Sequence, residues 1–198
     1  MSSGDFFGQG RDQNNDRNGQ GQGQGRQDYG DQQFRGNYGA GAPDFSSIVG
    51  HAENQGGNNS SFFSEAANFL QQQHGNISNN QDVDQQHMVN SHEKFYGNGN
   101  SEGPASSNDL GAGAAMQALK AFTSGGSGGG QNQLIGLAMA EAGKLFDQQN
   151  ANGNASGDKQ SAINSAAEMA LKMYLQGQGG LGGTGGPAGL LGLASKFL

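Results

Sequence analysis

The sequence predicts an all-α protein: a small bundle of about six or seven short helices with glycine-rich loops, preceded by a disordered N-terminal tail. Two stretches carry the helical expectation. QNQLIGLAMAEAGKLFDQQN starts at Gln131, and DKQSAINSAAEMALKMYLQ runs from Asp158 to Gln176. In the second, Ile163, Ala166, Ala167, Ala170, Met173 and Tyr174 recur at helical spacing and form one apolar stripe. In the first, Leu134, Ala138, Ala142 and Leu145 line up, with Ile135, Met139 and Phe146 beside them. Two such stripes bury each other as an antiparallel hairpin. The third observation is compositional. With 38 glycines in 198 residues and only 32% hydrophobic residues, part of the chain lacks the apolar surface to offset its ordering entropy.

That part is residues 1–43, a low-complexity tract of Gln, Gly, Asn, Asp and Arg. Phe6, Phe7, Tyr29, Phe34 and Tyr38 are too sparse there to build a core. All four arginines of the protein (Arg11, Arg17, Arg26, Arg35) lie in this tail and face five aspartates, so it is close to neutral. Contacts between guanidinium groups and aromatic faces would support weak self-association or RNA contact. A solubilising tail without a role of its own is the alternative.

The helical domain is expected over 44–198. Asp44 caps FSSIVGHAEN, since its carboxylate can accept from the free amides of a first turn. A break at Gly56 to Asn59 comes next. Phe62, Ala66, Phe69 and Leu70 then share a face of a helix ended by Gly75. Asp82 or Asp84 opens the next helix, with Met88, Val89 and Phe95 on its apolar side, and Gly97 to Ser107 reads as a flexible linker. Asp109 begins DLGAGAAMQALKAFTSG, whose helical part is expected over Ala114 to Thr123. After the central hairpin, capped by Asp158 and stopped at Gly177, a glycine-rich loop leads to a last short helix, LLGLASKFL. Its apolar face, Leu190, Leu191, Ala194, Phe197 and Leu198, is too short to be stable alone and should dock beside its predecessor.

An internal echo links these elements. Ala114 to Phe122 and Ala166 to Tyr174 share the pattern AAxxALKxΦ (Φ aromatic), with AAMQALKAF in one and AAEMALKMY in the other. Each is succeeded by a glycine-rich loop and a Leu-Ile/Leu-Gly-Leu-Ala segment, 134–138 or 190–194, and Ile48-Val49-Gly50-His51-Ala52 is a fainter copy. An internal duplication, 109–150 and 158–198, is one reading, and chance similarity among Ala- and Gly-rich segments is the other.

Several blocks in order resemble the fungal beta-flanking proteins, a family named for gene neighbourhood rather than activity. They are AspPheSerSer (44–47), GlnHisMetVal and SerHis within 86–92, AlaAlaMetGlnAlaLeuLys (114–120), LysLeuPheAspGlnGln (144–149), AlaAlaGluMetAlaLeuLysMetTyr (166–174) and LeuAlaSerLysPheLeu (193–198). The resemblance implies a fungal protein of glycine-rich helical type and carries over no catalytic residue.

Chemistry-bearing constellations are few. His87 and His92 lie near Asp82, Asp84 and Glu93, but a spacing of five turns the two rings about 140° apart on a helix. One histidine is expected to face solvent and the other to cover the bundle. His51 and His74 are expected at helix ends, where the dipole favours partial positive charge. Gly177 to Gly182 fits GxGxxG, yet it comes after a helix where a dinucleotide site would come after a strand. Glu168 and Lys172 form an i, i+4 pair on a solvated face. No catalytic, cofactor-binding or metal-ligating residue is assigned.

The absence of cysteine removes thiolate chemistry and disulfides. A net charge of −7 argues against binding nucleic acid by bulk charge. No stretch reaches the length of a membrane span, and the N-terminus has no secretory pattern, so a cytoplasmic protein, with the nucleus as a second compartment, is expected. The functional expectation is a non-enzymatic helical protein acting through contact with a protein partner that the sequence does not identify, or through weak self-association. A stress-protective, hydrophilin-like protein is the alternative, suggested by high glycine and a mean hydropathy of −0.72.

Overall fold

The computed structural model describes residues 43–97, 103–125 and 130–179. Among them are six helices: α1 (Phe45–Gly56), α2 (Ser60–Asn79), α3 (Gln85–Tyr96), α4 (Ser107–Ser124), α5 (Gln131–Ala151) and α6 (Lys159–Gly179). Two two-residue strands, β1 (Ala105–Ser106) and β2 (Ala155–Ser156), pair in parallel. The all-α expectation therefore holds for the described residues. The expected tail up to residue 42 and the expected last helix at 190–198 lie outside them.

Helices α4, α5 and α6 pack on one another and form the centre. Helix α1 lies on α5, α2 on α1 and α6, and α3 on α4. The α5–α6 hairpin is antiparallel as expected. Lys159 Nζ meets Asp147 Oδ2 at 2.7 Å, and further along a Cβ at Gly143 would lie 3.7 Å from Ile163 Cδ1. Every residue of the first expected stripe is buried: Leu134, Ile135, Ala138, Met139, Ala142, Leu145 and Phe146. In α6, Ile163, Ala166, Ala167, Ala170 and Met173 are buried and Tyr174 is half-buried.

Three further contacts are between parallel helices far apart in sequence. Asp44 N donates to Asn132 Oδ1 at 3.2 Å, Gly136 rests on Ile48 to Ala52, and Gly56 approaches Ala140, so α1 and α5 run in the same direction. Ser107 Oγ donates to Asp158 O at 2.9 Å and Gly111 meets Ala162, Ser165 and Ala166, so α4 and α6 are also parallel. Gln160 Nε2 donates to Phe62 O and Gln176 Nε2 to Gln81 O, which sets α2 parallel to α6. The hairpin of α1 and α2 thus lies alongside that of α5 and α6 in matching orientation. The echoed AAxxALK segments stand next to each other in α4 and α6.

Glycine explains most departures from the sequence expectations. Helix α4 begins at Ser107, well before Ala114, so the region expected to be a linker through Ser107 instead supplies β1, a cap and a first turn. Ser106 Oγ accepts from Asp109 N at 3.1 Å while Asp109 Oδ2 accepts from Ser106 N at 3.3 Å, a closed capping box. Glycine inside a helix costs about 1 kcal/mol relative to alanine, but here it admits a neighbouring backbone. A Cβ at Gly111 would stand 2.5 Å from Ser165 Cβ and 2.9 Å from Ala166 N. One at Gly136 would stand 2.5 Å from His51 Cβ and 2.9 Å from Ile48 O. Helix α2 does not stop at Gly75; it runs on to Asn79, which brings Ile77 into the core. Helix α6 does not stop at Gly177 either, and its last turns are held by the Gln176–Gln81 bond. The first break is tighter than expected, because α1 includes Gly56 and Gly57 reverses the chain at φ +63°.

Three caps fall where aspartate was expected. Asp44 accepts from Ser47 N, Asp84 from His87 N, and Asp158 from Ser161 N. The Ser46 hydroxyl, ahead of the Ser47 and Ser46 amides, lowers the carboxyl pKa of Asp44. The Ser161 hydroxyl, and after it the Ser161 backbone amide, does the same for Asp158.

Glycine packing and capping can each be tested by substitution. Gly111→Ala should destabilise the protein by about 1–3 kcal/mol, since backbone atoms oppose the added methyl. Gly50→Ala, with nothing within 4 Å of the new methyl, should be neutral or stabilise it by up to about 1 kcal/mol; urea unfolding of the two variants checks the contrast. Asp158→Ala should cost about 1 kcal/mol at pH 7. A folded pKa below the ordinary aspartate value of 3.8 places this contribution above that pH and removes it as pH falls through the folded value. The gap between wild type and variant should therefore close in urea melts as the pH is lowered below about 3.8.

Candidate functional site

The outer face of α6, away from α5, is open between α2 and α3. Helical spacing brings Ser165, Glu168, Met169 and Lys172 to this face, and two adjoining clefts lie above it. The larger, about 410 Å³, is closed by Asp82, Val83, Asp84, His87 and Met88 from the start of α3, and by Asn108 from the first turn of α4. The smaller, about 290 Å³, is walled by Phe69, Gln73, Asn76 and Ile77 of α2 and by Asn80 just past its end. Glu168 and Lys172 line both, so the clefts form one groove with an ion pair at 2.8 Å in its floor. The i, i+4 pair is present as expected, but its place is the floor of this groove. The Lys172 side chain is only 17% exposed, its methylenes lying along the helix surface.

Apolar and polar surface alternate along the groove. Phe69, Val83 and Met169 are half-buried and packed against the core. Amide side chains on α2 face them, and Asn76 Nδ2 donates to Gln73 Oε1 at 2.8 Å. At the other end, Asn108 Nδ2 lies 3.1 Å from His87 Nε2, and Asp109 Oδ1 lies 3.6 Å from the same nitrogen. The contact fastens the start of α3 to the start of α4.

His87, Asp109 and Ser165 gather at this end, but not as a relay. A serine nucleophile and its carboxylate must address opposite nitrogens of the histidine. Here Asn108 and Asp109 both face Nε2, Asp109 is committed to the capping box, and Ser165 is packed on Gly111. Among the described residues no group of three His, Asp or Glu side chains is placed to hold a metal ion.

The other sequence candidates separate. His92 Nε2 is 2.9 Å from Gln117 Oε1, and its ring stacks on Tyr96 with centroids 5.1 Å apart. Both histidines of α3 are thus half-buried and reach α4 at different levels, which corrects the expectation of one ring in solvent. Burial, and next the Glu141 carboxylate, push the Tyr96 hydroxyl pKa up. His51 lies in the middle of α1 against Gly136, and His74 lies within α2 with several residues of helix still to come, so neither marks a helix end. Of the GxGxxG string, Gly177 to Gly179 belong to α6 and 180–182 lie outside the described residues. The groove itself had no signal in the sequence, because its residues come from four separate segments. The spacing of Ser165, Glu168, Met169 and Lys172 on one helical face was the only available hint.

The His87–Asn108 contact is measurable. A double-mutant cycle on His87→Ala and Asn108→Ala should give a coupling of about 0.5–1.5 kcal/mol, the net worth of one hydrogen bond. A coupling near zero in urea melts at pH 7 would show that the two side chains do not fasten α3 to α4.

Residues 44–127 match the model of a family described as a domain of unknown function, DUF7721. The match takes in α1 to α4 and stops before α5 and α6, which share their core. No curated protein and no solved structure matches the chain.

Proposed function

We propose that this protein is a non-enzymatic helical protein acting through protein–protein contact or self-association, in the cytoplasm with the nucleus as a second compartment. The sequence blocks from 44–47 to 193–198 support placing it among the fungal beta-flanking proteins. The groove over α6 carries the contact reading. A peptide segment laid along it would cover Phe69, Val83 and Met169, gaining about 25 cal/mol for each Å² of apolar surface removed from water. The carboxamides of Gln73, Asn76 and Asn80 supply donors and acceptors for the backbone of such a segment. Its charges favour a protein over a nucleic acid, since Asp82, Asp84 and Glu168 line the same surface and the chain carries −7. No helix among the described residues is long and apolar enough to cross a membrane.

The hydrophilin-like alternative rests on the mean hydropathy of −0.72 and requires a chain that is largely coil in isolation. Circular dichroism in dilute buffer separates the two, with strong helicity expected. The contact reading is tested by affinity purification of the tagged full chain at native levels, wild type against Met169→Glu. The wild type should retain a partner protein or a second copy that Met169→Glu loses with its helicity unchanged. Equal retention by both would move the contact away from the groove, and catalytic turnover by the purified protein would overturn the reading.

A further inference from the structure

The groove over α6 is unevenly charged. Its larger cleft carries the carboxylates of Asp82, Asp84 and Glu168, whereas the walls of the smaller cleft add only uncharged side chains, Phe69 and Ile77 among them. Residues 82–84 precede α3, and alternation along them puts Val83 on the core and leaves both aspartates exposed. Asp84 accepts from the His87 amide at 2.9 Å, while the Asp82 carboxylate has no partner among the described residues. The lysine in the floor does not balance these charges at the opening. The Lys172 side chain is 17% exposed against 34% for Glu168, so the cation is the deeper member of that pair. What faces outward is an anionic rim beside the apolar surface of Val83 and Met169. Its charges are also spread out: among the described residues no three His, Asp or Glu side chains are placed to hold a metal ion. A cation carried on a flexible stem can reach between them.

Resting on the contact reading above, we propose that the groove selects a segment of a different protein that carries a lysine or arginine beside apolar side chains. The cation meets Asp82, Asp84 and Glu168, and its methylene stem lies on Val83 and Met169. A neighbouring apolar side chain reaches Phe69 in the smaller cleft. Opposite charge selects the partner and speeds encounter, while the apolar contacts hold the segment in place. A second copy has little to offer the groove. Among the described residues Lys94, Lys144, Lys159 and Lys172 each already meet an oxygen. The arginines at 11–35 share residues 1–43 with five aspartates, so that stretch carries no positive excess.

A random peptide library displayed on phage and panned on the full chain tests this. Recovered peptides should be enriched in lysine or arginine next to large apolar residues. A labelled synthetic copy of their consensus is then titrated by fluorescence anisotropy against wild type, Asp82→Lys and Phe69→Ala, each checked for wild-type circular dichroism. Asp82→Lys should bind it about tenfold more weakly. A peptide with glutamate in place of the basic residue should reverse that order, and Phe69→Ala should weaken the binding of both. Loss in Phe69→Ala with no change in Asp82→Lys overturns the proposal and leaves the contact reading standing. So does enrichment of acidic or uncharged peptides. Binding indifferent to both substitutions lies off the groove and removes the two together, as does a library that enriches nothing. The full-length variant with Arg11→Gln, Arg17→Gln, Arg26→Gln and Arg35→Gln together should bind the consensus peptide with unchanged affinity. Binding about tenfold tighter would make the chain's own arginines the occupant and overturn the assignment to another protein.

Discussion

Backbone-to-backbone approach at Gly111 and Gly136 is the constraint on which the rest of this bundle depends. Among the described residues, fourteen of the buried core residues are alanines, from Ala52 in α1 to Ala170 in α6, apart from Ala105 in β1. An alanine methyl removes little area from water, so a core of this kind depends on many short dispersion contacts, which fall away steeply with distance. Helices carrying larger residues on the contact face would be held further apart. With glycine at the crossing, α4 meets the backbone of α6 and α5 meets that of α1. The larger side chains, such as Phe63, Leu70 and Phe122, are buried in the same core.

A second group of contacts fixes how far the helices slide along one another. At the start of α4 and α6, the β1–β2 ladder pairs Ala105 with Ala155 and Ser106 with Ser156. The Ser107 hydroxyl donates to Asp158 O and accepts from Asp158 N, while Asp158 itself caps α6 and Ser106 caps α4. One short cluster thus starts two helices and sets their register. The groove over α6 inherits its shape from this arrangement. Asn108 and Asp109, which hold His87, are in the first turn that the clamp establishes, and Ser165 is held by the crossing at Gly111.

The hairpin is legible in the sequence because hydrophobic period and capping agree there: Asp158 before the stripe, then Ile163, Ala166, Ala167, Ala170 and Met173 within it. Asp44 is readable for the same reason. Glycine misleads because one residue type serves two purposes. At Gly57 it reverses the chain; at Gly111 it receives another helix; at Gly75 it has open space around it and is carried within α2 by the burial on either side. Local propensity cannot tell these apart, since the deciding atoms belong to segments far away in the chain. The histidines show the same limit. The angle between His87 and His92 is fixed by helix geometry, but Asn108 and Gln117, which draw both rings onto α4, are not visible from α3 alone.

Pairing parallel helices across such separations has a consequence for how the chain acquires its structure. Asp44 awaits Asn132, 88 residues later, and Ser107 awaits Asp158, 51 residues later. Helical proteins usually fold fast because their contacts are local, whereas here the contacts that close the core carry a loop-closure cost more common in sheet proteins. On a ribosome, α1 to α4 would emerge with Ile48, Ala52, Leu110 and Ala114 still without the helices that bury them. Until α5 and α6 emerge, those apolar faces stay open to water, the kind of transient surface on which aggregation and chaperone binding act.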